Sequence, residues 1–314
     1  MLSLLRKFSN LLVHIIYRKF RKKYRYFISD NYVSRLLQYR FFFLDRVVKK
    51  PYKVIEYYGE FQQELCFVLP FAYWHWKNGT LKKTISCSYT RELYFFSPQH
   101  EEKYKIRDPL FNRENFSIPN MSHTLKLNQK KWLPVPLKQQ YANKLFCYDK
   151  PILVVANKYN REWNDNPINF LSLDTLEQLF KLYSSKYQII YNRPKLNLIV
   201  SDNSEILDFE DTGVLNDYPS VINMARLYEQ QRKLVNNFNH LQLMVYANTE
   251  HFISVHGGSA ALASCFEGTN ILYSTSGVEE VFDEYKNVFP KLSNCNMVHV
   301  RSESELLQQV KERF

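Results

Sequence analysis

From Pro51 onward the chain alternates between two hydrophobic periods. Short, nearly continuous apolar runs of the kind buried strands carry are followed by stretches with apolar residues three and four apart, as on one face of a helix. The predicted strands cover residues 53–58, 83–89, 152–156, 187–191, 252–255, 271–273 and 297–300, with a shorter one near Val221. Helices are predicted over 61–76 (kinked at Pro70 and closed by Asn78-Gly79), 172–184, 227–235 and 241–247, near Glu279, and from Glu303 to the end. Regular strand–helix alternation implies parallel sheets with helices on their faces, and ligands at the carboxyl ends of the strands. We therefore expect an α/β chain with two Rossmann-like domains, a small one over 47–145 and a larger one over 146–314. Residues 97–144 are polar and proline-punctuated with little periodicity, and read as irregular structure plus the crossing between domains.

The first fifty residues follow a different pattern. No Gly or Pro occurs before Pro51, and Leu4, Leu5, Phe8, Leu11, Leu12, Ile15, Ile16 and Phe20 recur at helical spacing among Arg6, Lys7, Arg18, Lys19, Arg21, Lys22 and Lys23. Net charge is +11, and residues 1–50 account for all of it, with 13 Lys or Arg against Asp30 and Asp45. The neutral remainder excludes a globally basic nucleic-acid binder. The uninterrupted apolar stretch near residues 11–17 is far shorter than the roughly 20 residues of a membrane span, and no signal-peptide cleavage site follows it. Residues 1–46 thus read as a basic amphipathic helical segment on an anionic membrane surface, with the chain cytoplasmic and peripheral on the inner face. The alternative is a helix packed on the protein body.

Glycine is scarce, at seven residues, and three of the seven fall between Phe252 and Ser274. There an apolar run ends at His256-Gly257-Gly258-Ser259, a segment of small residues follows, and Glu267-Gly268 precedes the next strand. A glycine turn between a strand and a helix start aims backbone N–H groups at an anion, and a Cβ there would hold a phosphate away. The same residues also suit an ordinary tight turn. Asn157, Lys158 and Arg193, like His256, stand just after predicted strands and should meet on one rim with it. Lys158 and Arg193 read either as phosphate-binding cations or as solvated loop charges, and His256 as a ligand contact or a structural histidine. The five cysteines are odd in number and widely spaced, as in a reduced cytosolic protein.

Two α/β domains and a strand–HGGS–helix–EG–strand element in the second resemble the GT-B class of glycosyltransferases. In that class a His-x-Gly turn opens a helix, an acidic residue follows, and a Gly-x-Pro lies beyond. Here Gly268 keeps the spacing, while Ser264 and Asn270 stand where the acid and the proline are usual. Together with the ANKYNREW string at 156–163, the motif also resembles bacterial surface-polysaccharide enzymes. The resemblance implies a nucleoside-diphosphate sugar as donor, bound by Asn157, Lys158, Arg193, His256, Gly257, Gly258, Ser259 and Glu267, with a glycan or lipid-linked acceptor and no separate cofactor. It also implies a general base in the first loop of the first domain, and Glu60, directly after the first strand, is our first candidate, with Glu64 one helical turn on as the second. Glu60 could equally be a first-turn acid favoured by the helix dipole. Arg161 and Glu162 could pair beside the pocket, and Trp163 could stack on a sugar or fill core. No Asp-x-Asp pair occurs and the histidines lack metal-ligand spacing, so a metal-independent reaction is expected. Pyruvyl transfer on a similar architecture and a non-catalytic membrane-bound scaffold are the alternatives.

Overall fold

A computed structural model describes residues 2–111, 116–120, 123–162, 166–202 and 204–314, with the side chain of Glu162 outside that set. Trp163 also lies outside the described residues. The chain is mixed α/β with two parallel sheets. β1 (Lys53–Glu56), β2 (Leu81–Cys87) and β3 (His100–Tyr104) form a parallel three-stranded sheet in sequence order. β3 lies within the stretch expected to be irregular; its run HEEKY is too polar to show as a strand, and only His100 is buried. Between β1 and β2 the helical residues Phe61–Gln63, a π-helical turn Glu64–Val68 and Leu69–Lys77 follow one another, so the irregularity precedes Pro70, which sits harmlessly in the first turn of the last piece.

The second sheet has six parallel strands in the order β11-β10-β9-β4-β6-β8. They are β4 (Ile152–Ala156), β6 (Gln188–Asn192), β8 (Ile222–Asn223), β9 (His251–Val255), β10 (Thr269–Tyr273) and β11 (Asn296–Val300). All five residues of β4 are buried, as expected for a central strand covered on both faces. The helix Leu173–Tyr183 starts where Ser172 caps the Thr175 amide, and it buries Leu176, Leu179 and Phe180. Strand order reverses between β4 and β9, so the loops after these two strands part and leave a crevice at the carboxyl edge of the sheet. A small antiparallel pair, β5 (Asn160–Glu162) and β7 (Ser204–Ile206), stands beside that crevice. One apolar core runs from Ile55 and Phe71 of the first half to Phe252 and Phe266 of the second.

The N-terminal segment is a helical hairpin, α1 (Leu2–Ile16) and α2 (Lys22–Leu37), and α2 continues through a 3₁₀ turn (Gln38–Phe41) and a wider π-helical turn (Leu44–Val48). Val13 and Ser9 are buried against α2, where Ser9 Oγ reaches the Ser29 carbonyl at 3.2 Å. The inner side of α2 and its continuation is held to Ser117, His123 and Thr124: Asn31 Nδ2 donates to the His123 carbonyl at 2.7 Å, Gln38 Nε2 to that of Ser117 at 2.8 Å, and Arg35 to Thr124 Oγ1 at 3.1 Å. Phe20, Tyr24 and Phe27 close on Phe282 of the second half. Among the described residues no helix is long and apolar enough to cross a membrane.

At the opposite edge of the large sheet, Glu267 and Gly268 both take left-handed backbone angles (φ 62° and 66°) to turn into β10, and a Cβ on Gly268 would collide with the Glu250 carbonyl. Gly268→Ala should therefore lose about 2 kcal/mol or more of unfolding free energy, read by chemical denaturation.

Candidate functional site

The crevice opens into a cleft of about 430 Å³ between the two sheets, and Glu60, Lys158, Arg193, His256 and the Gly257-Gly258-Ser259 turn all face it. The turn is set by backbone geometry. Gly257 has φ 111° and ψ −152°, outside the range of other residues, and the helix Gly258–Ala263 begins immediately after it. Gly258 is needed for contact: a Cβ there would stand 2.9 Å from the Phe61 ring of the first half. Lys158 Nζ lies 3.7 Å from where a Gly257 Cβ would be, so a cation stands over the turn. Ser259 is committed to the fold through its hydroxyl, which donates to the Val255 carbonyl at 3.0 Å.

Several side chains expected to bind ligand are already engaged. Asn157 lines the cleft, but its amide accepts from the Leu171 N–H at 2.9 Å and donates to the Leu171 carbonyl at 3.1 Å, pinning the neighbouring loop. Arg193 gives its fork to Asp211, at 2.6 and 2.8 Å, and Asp211 also accepts from the Tyr191 hydroxyl at 2.8 Å. That bidentate pair neutralises the charge expected to meet a diphosphate. The His256 ring is bracketed, with Nδ1 2.5 Å from the Tyr285 hydroxyl and Nε2 3.5 Å from Glu279 Oε2.

Two residues read from the sequence as site residues lie elsewhere. Glu64 is fully buried behind the cleft, accepting from Arg107 at 2.7 Å, from the Tyr94 hydroxyl at 2.9 Å and from Ser86. Arg107 in turn donates to the Gly59 carbonyl at 2.8 Å, and Tyr57 OH to the Glu60 carbonyl at 3.1 Å. Glu64 therefore braces the loop that presents Glu60 and does not itself reach the cleft. Glu267 precedes β10 at the far edge of the sheet, half exposed and 3.5 Å from Lys138. The spacing that suggested it as a donor contact measures position along the chain, whereas the cleft lies at the other end of the strand. Arg161 pairs across β5 and β7 with Glu205 at 3.0 Å.

The floor of the cleft holds groups that the sequence did not single out. Glu279 is buried; its Oε1 accepts from Gln62 Nε2 at 2.7 Å, a bond between the two halves of the chain. His123 is buried beside it, with Nδ1 3.2 Å from Glu284 Oε2, while Glu284 Oε1 accepts from the Thr124 amide at 2.8 Å. His123, Glu279 and Glu284 bring ligand atoms within 4.8 Å of one another, as a cation site would require, and the positive charge among them is the imidazolium's own. Burial opposes a charge on His123, yet Glu284 and Glu279 carry it up to about 9. Burial likewise works against an ionised Glu279, and His256 and His123 outweigh it and hold the carboxylate at about 2. Glu284 is pushed up by its burial in spite of His123. Gly277 completes the floor, because a Cβ there would stand 2.6 Å from the His256 ring. As one of only seven glycines, placed just before a predicted helix, Gly277 carried a usable signal. His123, in an aperiodic stretch, carried none.

No protein-family model matches the chain, and no curated protein does. Among solved structures, the E. coli ADP-heptose lps heptosyltransferase II is similar over 82% of this chain and 97% of its own, at 9% identity and a TM-score of 0.46. The E. coli heptosyltransferase WaaC with ADP is similar over 89% and 78%, at 10% identity and a TM-score of 0.37. Likeness at that level assigns neither family nor substrate.

Truncating Glu64 would leave the Arg107 guanidinium buried without its carboxylate, so Glu64→Ala should cost about 3–5 kcal/mol, read by denaturant titration. The floor cluster also gives stability a pH dependence. His123 is raised from 6.5 to about 9, so its contribution is complete below pH 6.5 and lost as pH climbs through 9. Glu279 is lowered from 4.5 to about 2, so its contribution is present above pH 4.5 and lost as pH falls through 2. Thermal unfolding scans should show the melting temperature falling from pH 6.5 to 9, with His123→Gln flattening that limb.

Proposed function

We propose that this chain is a GT-B-type glycosyltransferase that moves a sugar from a nucleoside-diphosphate sugar to a glycan or lipid-linked acceptor in surface polysaccharide synthesis. The observation that carries the reading is the facing of two groups across one cleft: a glycine turn overhung by Lys158 at the switch point of a parallel sheet, and the Glu60 carboxylate on a braced loop of the opposite half. Departure of a nucleoside diphosphate builds charge on phosphate oxygens, and fixed N–H dipoles with a nearby ammonium stabilise that charge best where water is excluded. In this reading the amides of Gly258 and Ser259 and the amine of Lys158 receive the diphosphate. Glu60 takes the proton of the acceptor hydroxyl as it attacks the sugar carbon, and His256 and Glu279 shape the floor between them. Arg193, held by Asp211, supports the wall. The proposal includes independence from a metal, because the charge on the leaving group is assigned to these protein donors.

Partners in this reading are the nucleotide sugar, the acceptor and, through the basic hairpin, an anionic membrane surface. Thermal unfolding in the presence of UDP, GDP, ADP and CDP tests the donor side: one of them should raise the melting temperature, and Lys158→Ala should weaken that nucleotide about tenfold. With the matching donor, Glu60→Gln should lower kcat by about 10²-fold or more at unchanged nucleotide affinity. Protection by none of the four, or a fully active Glu60→Gln enzyme, would overturn the assignment.

A further inference from the structure

The outer side of the N-terminal hairpin carries two apolar stripes. On α1, Leu4, Phe8, Leu11 and Ile15 follow one another three and four residues apart and are 53–75% exposed. The second stripe belongs to α2 and its continuation, where Tyr32, Leu36, Tyr39, Phe43 and Val47 repeat the same spacing and are exposed as well. The hydroxyls of Tyr17 and Tyr32 meet at 2.8 Å between the two helices. More than half of the exposed large apolar side chains among the described residues lie between Leu2 and Val48, far denser than the scatter a soluble surface shows.

Charge identifies what covers them. Lys7, Arg18, Lys19, Lys22, Arg40 and Lys49 are exposed around the stripes. The two acids of this region are turned inward: Asp30 meets Arg6 at 3.2 Å, and Asp45 meets Lys131 at 2.5 Å. The exposed surface of the hairpin therefore presents cations and apolar groups without a carboxylate. We propose that the two stripes form a single docking surface for an anionic lipid bilayer, extending past the first amphipathic helix to Val47. A second copy of the chain would set cations against cations, and a nucleic acid would leave the apolar side chains in water. Long basic side chains with apolar and aromatic neighbours suit the headgroup boundary, where apolar groups enter the acyl region and the cations meet lipid phosphates. The inner side of the same hairpin holds His123 at the cleft floor, with Phe27 packed edge-on at 4.8 Å, so the docked surface and the cleft share one support. The docking surface does not depend on the transferase reading.

Co-sedimentation of the full chain with vesicles tests this, comparing phosphatidylethanolamine–phosphatidylglycerol with phosphatidylcholine alone. The chain should bind the anionic vesicles and release them as salt rises from about 0.1 to 1 M, where the screening length shrinks from about 10 to 3 Å. The pairs Leu11→Asp/Ile15→Asp and Phe43→Asp/Val47→Asp should each weaken binding about tenfold or more, with unchanged thermal unfolding in the absence of lipid. The second pair is decisive, since an α1-only contact would leave it binding like the unaltered chain. Equal binding to neutral vesicles would overturn the proposal, as would indifference to either pair, or self-association that the same substitutions abolish. Arg18→Glu/Lys22→Glu supplies a test that leaves the apolar stripes intact, and should also release the chain. Nucleoside-diphosphate protection measured on the same variants separates the two readings. Vesicle binding without nucleotide protection would sink the transferase and keep the docking surface, and the reverse result would do the opposite.

Discussion

A carboxylate buried between two packed halves must be paired or it works against the fold, because removing a charge from water costs several kcal/mol that only nearby donors and cations repay. Glu279 is that carboxylate here. Gln62 reaches it from the first sheet's helix, His256 from the glycine turn, and His123 from the segment that hangs on the N-terminal hairpin. Three parts of the chain, distant in sequence, thus converge on one charge. Their convergence fixes the width of the cleft and the position of the turn relative to Glu60.

The remaining ionic groups around the cleft follow the same economy. Arg107 and Arg193 both face it, yet each is bound to its own carboxylate, Glu64 and Asp211. Buried pairs of this kind contribute little net stability but make the loops that carry them rigid. The loop holding Glu60 is tied to Glu64 through Arg107, and the end of β6 is tied to Asp211 through Arg193 and Tyr191. Lys158 adds a further cation on this rim, its ammonium standing over the glycine turn, and a fixed cation acts on nearby anionic charge most strongly where water is excluded.

The hairpin joins this rigid centre to the outside. Its inner face is bonded to Ser117 and His123 and packed on Phe282, while its outer face keeps cations and apolar side chains in solvent. Of the two expectations for the N-terminal segment, packing on the body holds for the inner side of α2, while both helices leave an apolar stripe in solvent and contact with a membrane stays a proposal.

What the sequence determined by itself is local. Periodicity placed the strands of the large sheet to within a residue or two, since an apolar run such as ILVV at 152–155 has no other stable use in a βα chain. Scarce glycine marked the turn at Gly257-Gly258, where backbone angle and the Phe61 ring exclude a side chain, and charge counting separated a basic N-terminus from a neutral body. Tertiary structure alone decided which charges are available. Glu64, Arg193 and the His256 ring all sat at plausible positions after strands or in the first helix, and each is engaged by a partner between 18 and 43 residues away in the chain. Glu267 fell at the wrong end of its strand, and His123 reached the floor from a stretch with no period at all. Ion pairing and burial depend on distance in space, which spacing along a chain encodes only within a helix or a strand.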